Sequence, residues 1–146
     1  MLESTIQIHR TLRTPRPAEE VFAYLQDFTT TEEWDPGTVR TNRISGDGGV
    51  GTRYRNVSRF LGRQTELTYV VEEVDAPRRL RLRGENRSVV THDTMTLAPV
   101  PTGGTELSYR AEFAFKGMAR WVAPMLRPAL GRLGDKAEQG LREALR

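Results

Sequence analysis

The sequence predicts an α+β fold in which an antiparallel sheet of about seven strands curls around a long C-terminal helix. Three observations lead to this prediction. The chain opens with one strand and two short helices, and it continues with segments in which apolar and polar residues alternate. It ends on a segment whose apolar residues recur every three or four positions. The short connections between the alternating segments indicate hairpins, and hairpins build antiparallel sheets.

The first strand is predicted over residues 5–12, where isoleucines alternate with polar residues. Pro17 suits the first position of a helix, and two glutamates in the following turn favour the positive end of the helix dipole. A further helical turn over Thr31–Trp34 comes before the turn sequence Asp35-Pro36-Gly37. Two short helices are therefore expected between the first two strands.

The other strands are predicted over residues 39–45, 52–60, 63–75, 79–84, 89–97 and 105–115. Glycine, proline and other turn residues separate them. The clearest alternation lies in residues 79–84, where three arginines occupy one side and Leu80 and Leu82 the other. Because successive side chains of a strand point to opposite faces, the alternation assigns an inner and an outer face to the sheet.

The last segment predicts a long amphipathic helix. Its apolar stripe consists of Met118, Val122, Met125, Ala129, Leu133, Ala137, Leu141 and Leu145. Pro124 and Pro128 lie in the first half of this segment. A proline inside a helix removes a hydrogen bond and clashes with the preceding turn. We therefore expect a kink or a break between residues 123 and 128.

Length and composition exclude several classes of protein. The chain has 146 residues, of which 37% are hydrophobic and 28% charged, which is typical of one soluble folded domain over residues 1–146. No apolar run approaches the roughly 18 residues of a membrane span, so no stable membrane insertion is expected. Cysteine is absent, which excludes disulfides and thiolate metal sites. With no apolar signal core at the N-terminus, these features favour a cytoplasmic location.

The positive charge of the chain is concentrated in its middle. Residues 40–87 hold 11 basic and six acidic residues, and such a region can bind nucleic acid. Most of these arginines, however, alternate with apolar residues on the predicted strands. We therefore interpret them as the solvated outer face of the sheet and expect no nucleic-acid partner.

Four segments carry a family resemblance: PAEEVFAYL at residues 17–25, WDPG at 34–37, GVGTRY at 49–54 and GTELSY at 104–109. Together with the order of the elements, they resemble the START-like superfamily, also called SRPBCC or the Bet v 1-like helix-grip fold, and within it the polyketide cyclase/dehydrase branch. The resemblance implies a helix-grip fold with a cavity between the sheet and the C-terminal helix. It also implies an apolar or amphipathic ligand in that cavity, as in the carriers and aromatic cyclases of the superfamily.

Alternation selects the strand residues that face this cavity. Residues 52–60 place three arginines on one side, and unpaired charge is costly to bury, so the opposite side must face inward. The same argument applies to the other strands, and residues of the C-terminal helix complete the set. The predicted ligand-binding residues are Trp34, Tyr54, Asn56, Ser58, Tyr69, Asp93, Met95, Tyr109, Trp121 and Met125. Trp34 is interpreted either as a lid over the cavity mouth or as an anchor of the short helices.

Asp93 and Tyr54 are the candidate catalytic residues. Asp93 shares the inner face of its strand with Val89, Met95 and Leu97, and such surroundings raise the pKa of a carboxyl group. It is then a general base or an acceptor for a ligand hydroxyl; the alternative is a purely structural carboxylate. Tyr54 is the candidate donor to a developing enolate. No second titratable group is apparent beside Asp93.

Other catalytic constellations are missing from the sequence. His9 and His92 are its only histidines, and they lack the spacing of metal ligands, so neither a metal nor another cofactor is expected. His92 lies on the outer face of its strand, whereas Thr91 and Asp93 lie on the inner face. This arrangement rules out a Ser-His-Asp triad with Asp93. The glycine-rich residues 46–51 lack the lysine of a phosphate loop and are interpreted as a hairpin turn.

Two function classes are retained from these observations, and whether the protein is an enzyme stays open. The preferred one is binding or transport of a hydrophobic small molecule, such as a lipid, an isoprenoid or a polyketide-like compound, by a monomer or homodimer. The alternative is a polyketide cyclase/dehydratase-type enzyme that acts on a ligand in the same cavity.

Overall fold

The computed structural model describes residues 5–146 and contains seven strands and three α-helices over this range. The strands are β1 (Thr5–Thr14), β2 (Thr38–Ser45), β3 (Arg53–Phe60), β4 (Arg63–Asp75), β5 (Arg79–Glu85), β6 (Val89–Pro99) and β7 (Thr105–Phe115). The helices are α1 (Ala18–Gln26), α2 (Thr31–Trp34) and α3 (Ala119–Ala144). A 3-10 turn at Phe28–Thr30 connects the first two helices. The predicted α+β architecture is confirmed.

All seven strands form one antiparallel sheet in the order β1-β7-β6-β5-β4-β3-β2. Strands β2 to β7 follow one another as hairpins, as the short connections predict. The exception is β1, which pairs with β7 from Thr5 opposite Ala114 to Thr14 opposite Thr105. The sheet curves around α3, which packs against the inner face of β1 and β7.

The predicted inner face of the sheet is correct. The side chains of Leu80, Leu82, Met95 and Leu97 are buried on this face, as are the polar candidates of the predicted site: Tyr54, Asn56, Tyr69, Asp93 and Tyr109. On neighbouring strands these residues stand opposite one another and form rows across the sheet. One row contains Tyr69, Gly84, Thr91 and Phe113, and the next row contains Leu82, Asp93 and Ala111.

The arginines of the middle region lie on the outer face, as predicted. Arg79 pairs with Glu73 at 3.0 Å, and Arg81 pairs with Glu72 at 3.3 Å. The side chains of these pairs are substantially exposed, so each pair contributes little to stability. They do show that the arginines of β5 meet glutamates of the neighbouring strand β4 on a solvated face.

The C-terminal half of α3 packs very closely onto the rest of the fold. Gly140 lies against the main-chain carbonyl of Trp34, and Gly134 lies against Ile8 and Arg10. The Arg10 guanidinium donates to the Gly131 carbonyl at 3.0 Å and forms an ion pair with Asp135. At the end of the chain, the Thr14 hydroxyl donates to the Leu145 carbonyl. These contacts fix the helix against α2 and β1.

The N-terminal half of α3 presents a different face from the predicted one. In this half Ala123 and Leu130 are buried, whereas four large residues at its start are exposed: Met118 (82%), Trp121 (69%), Val122 (46%) and Met125 (73%). In the C-terminal half, Ala137, Leu141 and Leu145 of the predicted stripe are buried as expected. The prediction that Trp121 and Met125 line an internal cavity is therefore wrong. Its physical cause is the small size of buried residues such as Ala123, which contribute little to a hydrophobic pattern.

Of the kink or break predicted between residues 123 and 128, the break is wrong, because α3 continues from Ala119 to Ala144 through both prolines; the kink stays a prediction. The carbonyls that lose a helical partner belong to Arg120, one turn before Pro124, and to Pro124, one turn before Pro128. Arg120 and Pro124 are exposed, so water can satisfy these carbonyls.

We expect Gly140→Ala to destabilise the fold and Gly131→Ala, in the same helix, not to do so. An added Cβ at Gly140 overlaps the Trp34 carbonyl, whereas nothing lies within 4 Å of an added Cβ at Gly131. The expected loss at Gly140 is at least about 2 kcal/mol of unfolding free energy. At Gly131 the better helix propensity of alanine is expected to stabilise by up to about 1 kcal/mol. Urea unfolding measures both, and equal stability of the two variants would contradict the close contact.

Candidate functional site

A cavity of about 260 Å³ lies between one end of the sheet and the N-terminal half of α3. Strands β3, β4, β6 and β7 form one wall, and α3 covers it. The apolar lining residues are chiefly Phe60, Leu67, Phe113, Phe115, Leu126 and Leu130. The helix leaves this space because only its C-terminal half is held tightly against the sheet. The arrangement suits an apolar ligand.

Thr91 is a buried polar residue in the wall of this cavity. Only 1% of the residue is exposed, and its hydroxyl forms no hydrogen bond of ordinary length with the described residues. The Tyr69 phenol is its polar neighbour, and Thr91 lowers the pKa of that phenol in part. A buried hydroxyl without a well-formed hydrogen bond costs roughly 1–3 kcal/mol, which a hydrogen bond to a bound molecule would recover. Thr91 therefore supplies a hydroxyl with unused hydrogen-bonding capacity in a wall that is mostly apolar.

Gly84 makes room for the polar residues beside Thr91. A Cβ atom at Gly84 would lie 2.6 Å from Thr91 Oγ1 and 2.7 Å from Tyr69 Cε1. The absence of a side chain in the middle of β5 therefore lets the Tyr69 ring lie across the strand, next to Thr91. A larger residue would displace the ring or the hydroxyl.

Asp93 lies on the same face of β6 as Thr91, about 7 Å further along the strand. It is 5% exposed, and burial, together with the charge of the nearby Asp35 carboxyl, raises the pKa of Asp93 to about 7. The Tyr109 hydroxyl, which donates toward the Asp93 carboxyl, lowers this pKa in part. At neutral pH the group is thus divided between its acid and carboxylate forms.

Asp35 is the second buried acid of the site, and the sequence analysis did not identify it. It ends α2, where its carboxylate accepts hydrogen bonds from Gly37 N at 3.0 Å and from the Thr38 hydroxyl at 3.1 Å. Burial raises the pKa of Asp35, and these two bonds lower it in part. The expectation that Asp93 has no titratable neighbour is therefore wrong. In the sequence, the Asp-Pro-Gly run indicates only a turn.

Tyr109 and Tyr69, rather than Tyr54, accompany Asp93. Burial, followed by the charge of Asp93, raises the pKa of both phenols well above its usual value, so both remain protonated donors. The Tyr54 hydroxyl instead lies 3.5 Å from the Gln26 carbonyl, at the end of α1. The catalytic role of Tyr54 stays a prediction, and the phenols whose pKa responds to Asp93 are those of Tyr69 and Tyr109.

Asn56 and Ser58 face inward as predicted, but protein groups occupy their hydrogen-bonding atoms. Asn56 donates to Thr41 at 2.8 Å and to Thr38 at 3.1 Å, and it accepts from Ser58 at 2.6 Å. Thr41 continues the chain to Thr31 at 2.6 Å. This network attaches α2 to strands β2 and β3 and supports Asp35 through Thr38.

Trp34 is buried, with 2% of its surface exposed, and it packs edge-on against Tyr109 with a centroid distance of 5.8 Å. It is thus an anchor of α2 in the core and does not line the cavity described above; the interpretation as a lid, which can coexist with the anchor, stays a prediction. Met95 is fully buried in the core. Among the described residues, no group of three histidine, aspartate or glutamate side chains is placed to hold a metal ion.

The structure separates the predicted site into two layers. Asp93, Met95 and Tyr109 form a packed layer beneath the cavity, and none of them lines it. Tyr69 belongs to the same cross-strand row as Thr91 but does not line the cavity either. The cavity lies one row further along the sheet, at Thr91 and Phe113. The alternation of β6 could have identified Thr91 as an inward residue, because Thr91 faces the same way as Asp93. The position of the cavity could not be predicted in this way, because it depends on the path of α3, which no local sequence pattern determines.

Comparisons with known proteins agree with this fold. An aromatase/cyclase from a Streptomyces species superposes with a TM-score of 0.82, at 14% identity, over 97% of this chain and 93% of that one. A protein from Thermus thermophilus gives a TM-score of 0.80 at 15% identity, over 96% and 97% of the two chains. A START superfamily protein from Mycobacterium smegmatis gives 0.79 at 12%, over 95% and 96%.

The similarity to these structures establishes the helix-grip fold, since the identities are low. No curated protein sequence matches this chain at a significant level. The sequence itself, over residues 5–146, matches the profile of the family described as polyketide cyclase / dehydrase and lipid transport. The chain therefore belongs to the polyketide cyclase/dehydrase and lipid transport family.

Proposed function

We propose that this protein binds a hydrophobic small molecule that carries an oxygen group, in the cavity between the sheet and the N-terminal half of α3. The observation that carries the proposal is the buried hydroxyl of Thr91, which lacks a well-formed hydrogen bond, in a wall that is mostly apolar and whose other polar residues are Thr65, Asn86 and Ser88. A ligand carbonyl or hydroxyl supplies the missing hydrogen bond, and the surrounding Phe113, Leu126 and Leu130 cover its apolar part. The lipid transport named in the family description supports this function.

The volume limits the ligand. About 260 Å³ is close to the lower end of the range of roughly 300–1,000 Å³ for small-molecule pockets. The cavity therefore fits a small isoprenoid- or polyketide-like molecule, or one end of a longer lipid. Native mass spectrometry of the freshly purified protein, followed by solvent extraction, identifies a ligand that remains bound.

We expect Thr91→Val to weaken the binding of such a ligand about fivefold, the equivalent of one neutral hydrogen bond. Valine keeps the shape of threonine but removes its hydroxyl. Thr96→Val is the matched control, because Thr96 lies on the same strand with its side chain exposed. Displacement of a fluorescent apolar probe by the extracted ligand measures both variants. Equal affinities would show that the Thr91 hydroxyl does not contact the ligand.

A second candidate is acid-base catalysis on the bound molecule, as in a polyketide cyclase/dehydratase-type enzyme. The observation that favours it is Asp93, whose pKa is raised to about 7, next to the phenol of Tyr109. In such a reaction Asp93 removes a proton from the carbon next to a ligand carbonyl, and a protonated phenol donates to the enolate oxygen. The substrate must then extend beyond Thr91 to the next cross-strand row of the sheet, where Asp93 lies. The structural neighbour described as an aromatase/cyclase supports this candidate.

Asp93→Asn separates catalysis from binding. Asparagine keeps the shape but cannot take a proton, so an enzyme is expected to lose roughly 100-fold in turnover of a poly-β-ketone substrate while it still binds the substrate. Asp47→Asn, at an exposed position, is the control and is expected to keep full turnover. A loss of affinity in a protein that never turns over substrate would make Asp93 a binding group. No change in either quantity would make it structural.

The raised pKa of Asp93 also predicts how stability depends on pH. Between about pH 4 and 7, folded Asp93 holds a proton that the unfolded chain has lost, because its pKa rises from 3.8 to about 7 on folding. The free energy of unfolding is therefore expected to fall as the pH rises through this window, by up to about 4 kcal/mol. Asp93→Asn should flatten this decrease in urea unfolding, whereas Asp47→Asn should retain it. Parallel profiles for Asp93→Asn and the unchanged protein would contradict the prediction.

A further inference from the structure

The N-terminal half of α3 carries an apolar stripe that faces solvent. Met118, Trp121, Val122 and Met125 follow one another at spacings of three, one and three residues, so they share one side of the helix. All four are exposed. Within residues 5–146 they form the largest group of exposed large apolar side chains on one element. A contiguous stripe of this kind marks an interaction surface.

The charges around the stripe have one sign. Residues 118–134 contain three arginines, Arg120, Arg127 and Arg132, and no acidic residue. Arg127 and Arg132 are exposed and form no ion pair within the part of the chain that the structure describes. The Arg120 guanidinium lies over the Trp121 ring, 5.2 Å from its centroid. The surface is therefore apolar in its centre and cationic at its margins.

We propose that this stripe docks the protein on an anionic lipid bilayer, with α3 lying in the plane of the interface. Methionine, valine and tryptophan side chains enter the boundary between headgroups and acyl chains, and the arginines pair with lipid phosphates. Tryptophan with a stacked arginine suits this boundary, because each has an apolar body and a polar end. Over residues 5–146, no helix has the length and apolar character to cross a membrane.

The charge pattern favours lipid over a second copy of this chain. In a twofold dimer the same surface meets itself, so Arg120, Arg127 and Arg132 of one copy would face those of the other. No acid within residues 118–134 offsets this repulsion. An anionic bilayer, in contrast, attracts each arginine by about 1 kcal/mol near its surface.

The docking surface and the cavity belong to the same half of α3. Leu126 and Leu130 line the cavity, while Trp121 and Met125 face outward within the same half of the helix. Docking would therefore bring the element that covers the cavity to the lipid. The membrane proposal does not depend on the cavity being occupied, because the stripe and its arginines are present on the surface of the protein alone.

Vesicle co-sedimentation tests the proposal. The protein is expected to bind vesicles of equal parts phosphatidylglycerol and phosphatidylcholine and to bind pure phosphatidylcholine at least about tenfold more weakly. The chain has two tryptophans, Trp34 in the core and Trp121 on the surface, so anionic vesicles should shift the emission of Trp121 to the blue. Absence of binding, or equal binding to both vesicles, would overturn the proposal.

Matched variants locate the surface. Met118→Ser/Trp121→Ser/Met125→Ser and Arg127→Gln/Arg132→Gln are each expected to weaken binding to the anionic vesicles at least about tenfold. The control for the first is Val39→Ser/Ile44→Ser/Val50→Ser, which removes exposed apolar residues from another part of the surface. The control for the second is Arg40→Gln/Arg110→Gln, at exposed strand positions.

Three results would overturn this assignment. The first is equal loss of vesicle binding in variants and controls. The second is a dimer in sedimentation analysis that Met118→Ser/Trp121→Ser/Met125→Ser dissociates while vesicles bind no protein, which would make the stripe an interface between copies. The third is a lower urea unfolding midpoint in the serine variant together with a loss of vesicle binding that is no larger than the fraction of unfolded protein. Probe displacement from the cavity is measured in parallel, so that a failure of ligand binding is recognised separately.

Discussion

The close contact between α3 and the Trp34 carbonyl, which Gly140 permits, determines where the helix lies relative to the sheet. Gly134 allows a second close contact, against Ile8 and Arg10. Both contacts belong to the C-terminal half of α3, and a helix is too stiff to follow the sheet along its whole length. Its N-terminal half therefore stands away from β6 and β7. The cavity beneath that half and the exposed stripe on its outer side have this common origin.

The interior of the sheet is unusual because its two buried acids are accompanied by phenols. The influences that dominate the pKa of Asp93 are burial and the charge of Asp35, and both favour the protonated form. The hydroxyl of Tyr109 lowers the pKa of Asp93 in part, and no arginine contributes to this pKa. Asp93 can consequently act as a donor or as an acceptor of a hydrogen bond around neutral pH. This chemical versatility is compatible with a carrier of an oxygen-containing ligand and with an acid-base catalyst.

Most of the fold follows from local pattern, whereas the cavity does not. Alternation assigned Tyr54, Tyr69, Asp93 and Tyr109 to the inner face, because a strand offers only two directions for a side chain. A helix offers many, and in the first half of α3 the exposed Met118, Val122 and Met125 are more hydrophobic than the buried Ala123. Hydrophobic periodicity therefore indicated the solvent-facing side of this half, although it identified the buried side of the C-terminal half. Asp35 could not be recognised either, since its burial results from α2 packing on β2 and β3 and not from its own segment.

The position of β1 in the sheet has a consequence for the synthesis of the chain. Its neighbour β7 follows roughly a hundred residues later, which is a contact of high sequence separation. A ribosome adds about 5–20 residues per second, so β1 waits roughly 5–20 seconds for that strand and longer for α3. During this time the apolar side chains of Ile6, Ile8 and Leu12 lack the elements that bury them in the native state. Of the seven strands, β1 thus leaves the ribosome before the others and is among the last to be protected from aggregation.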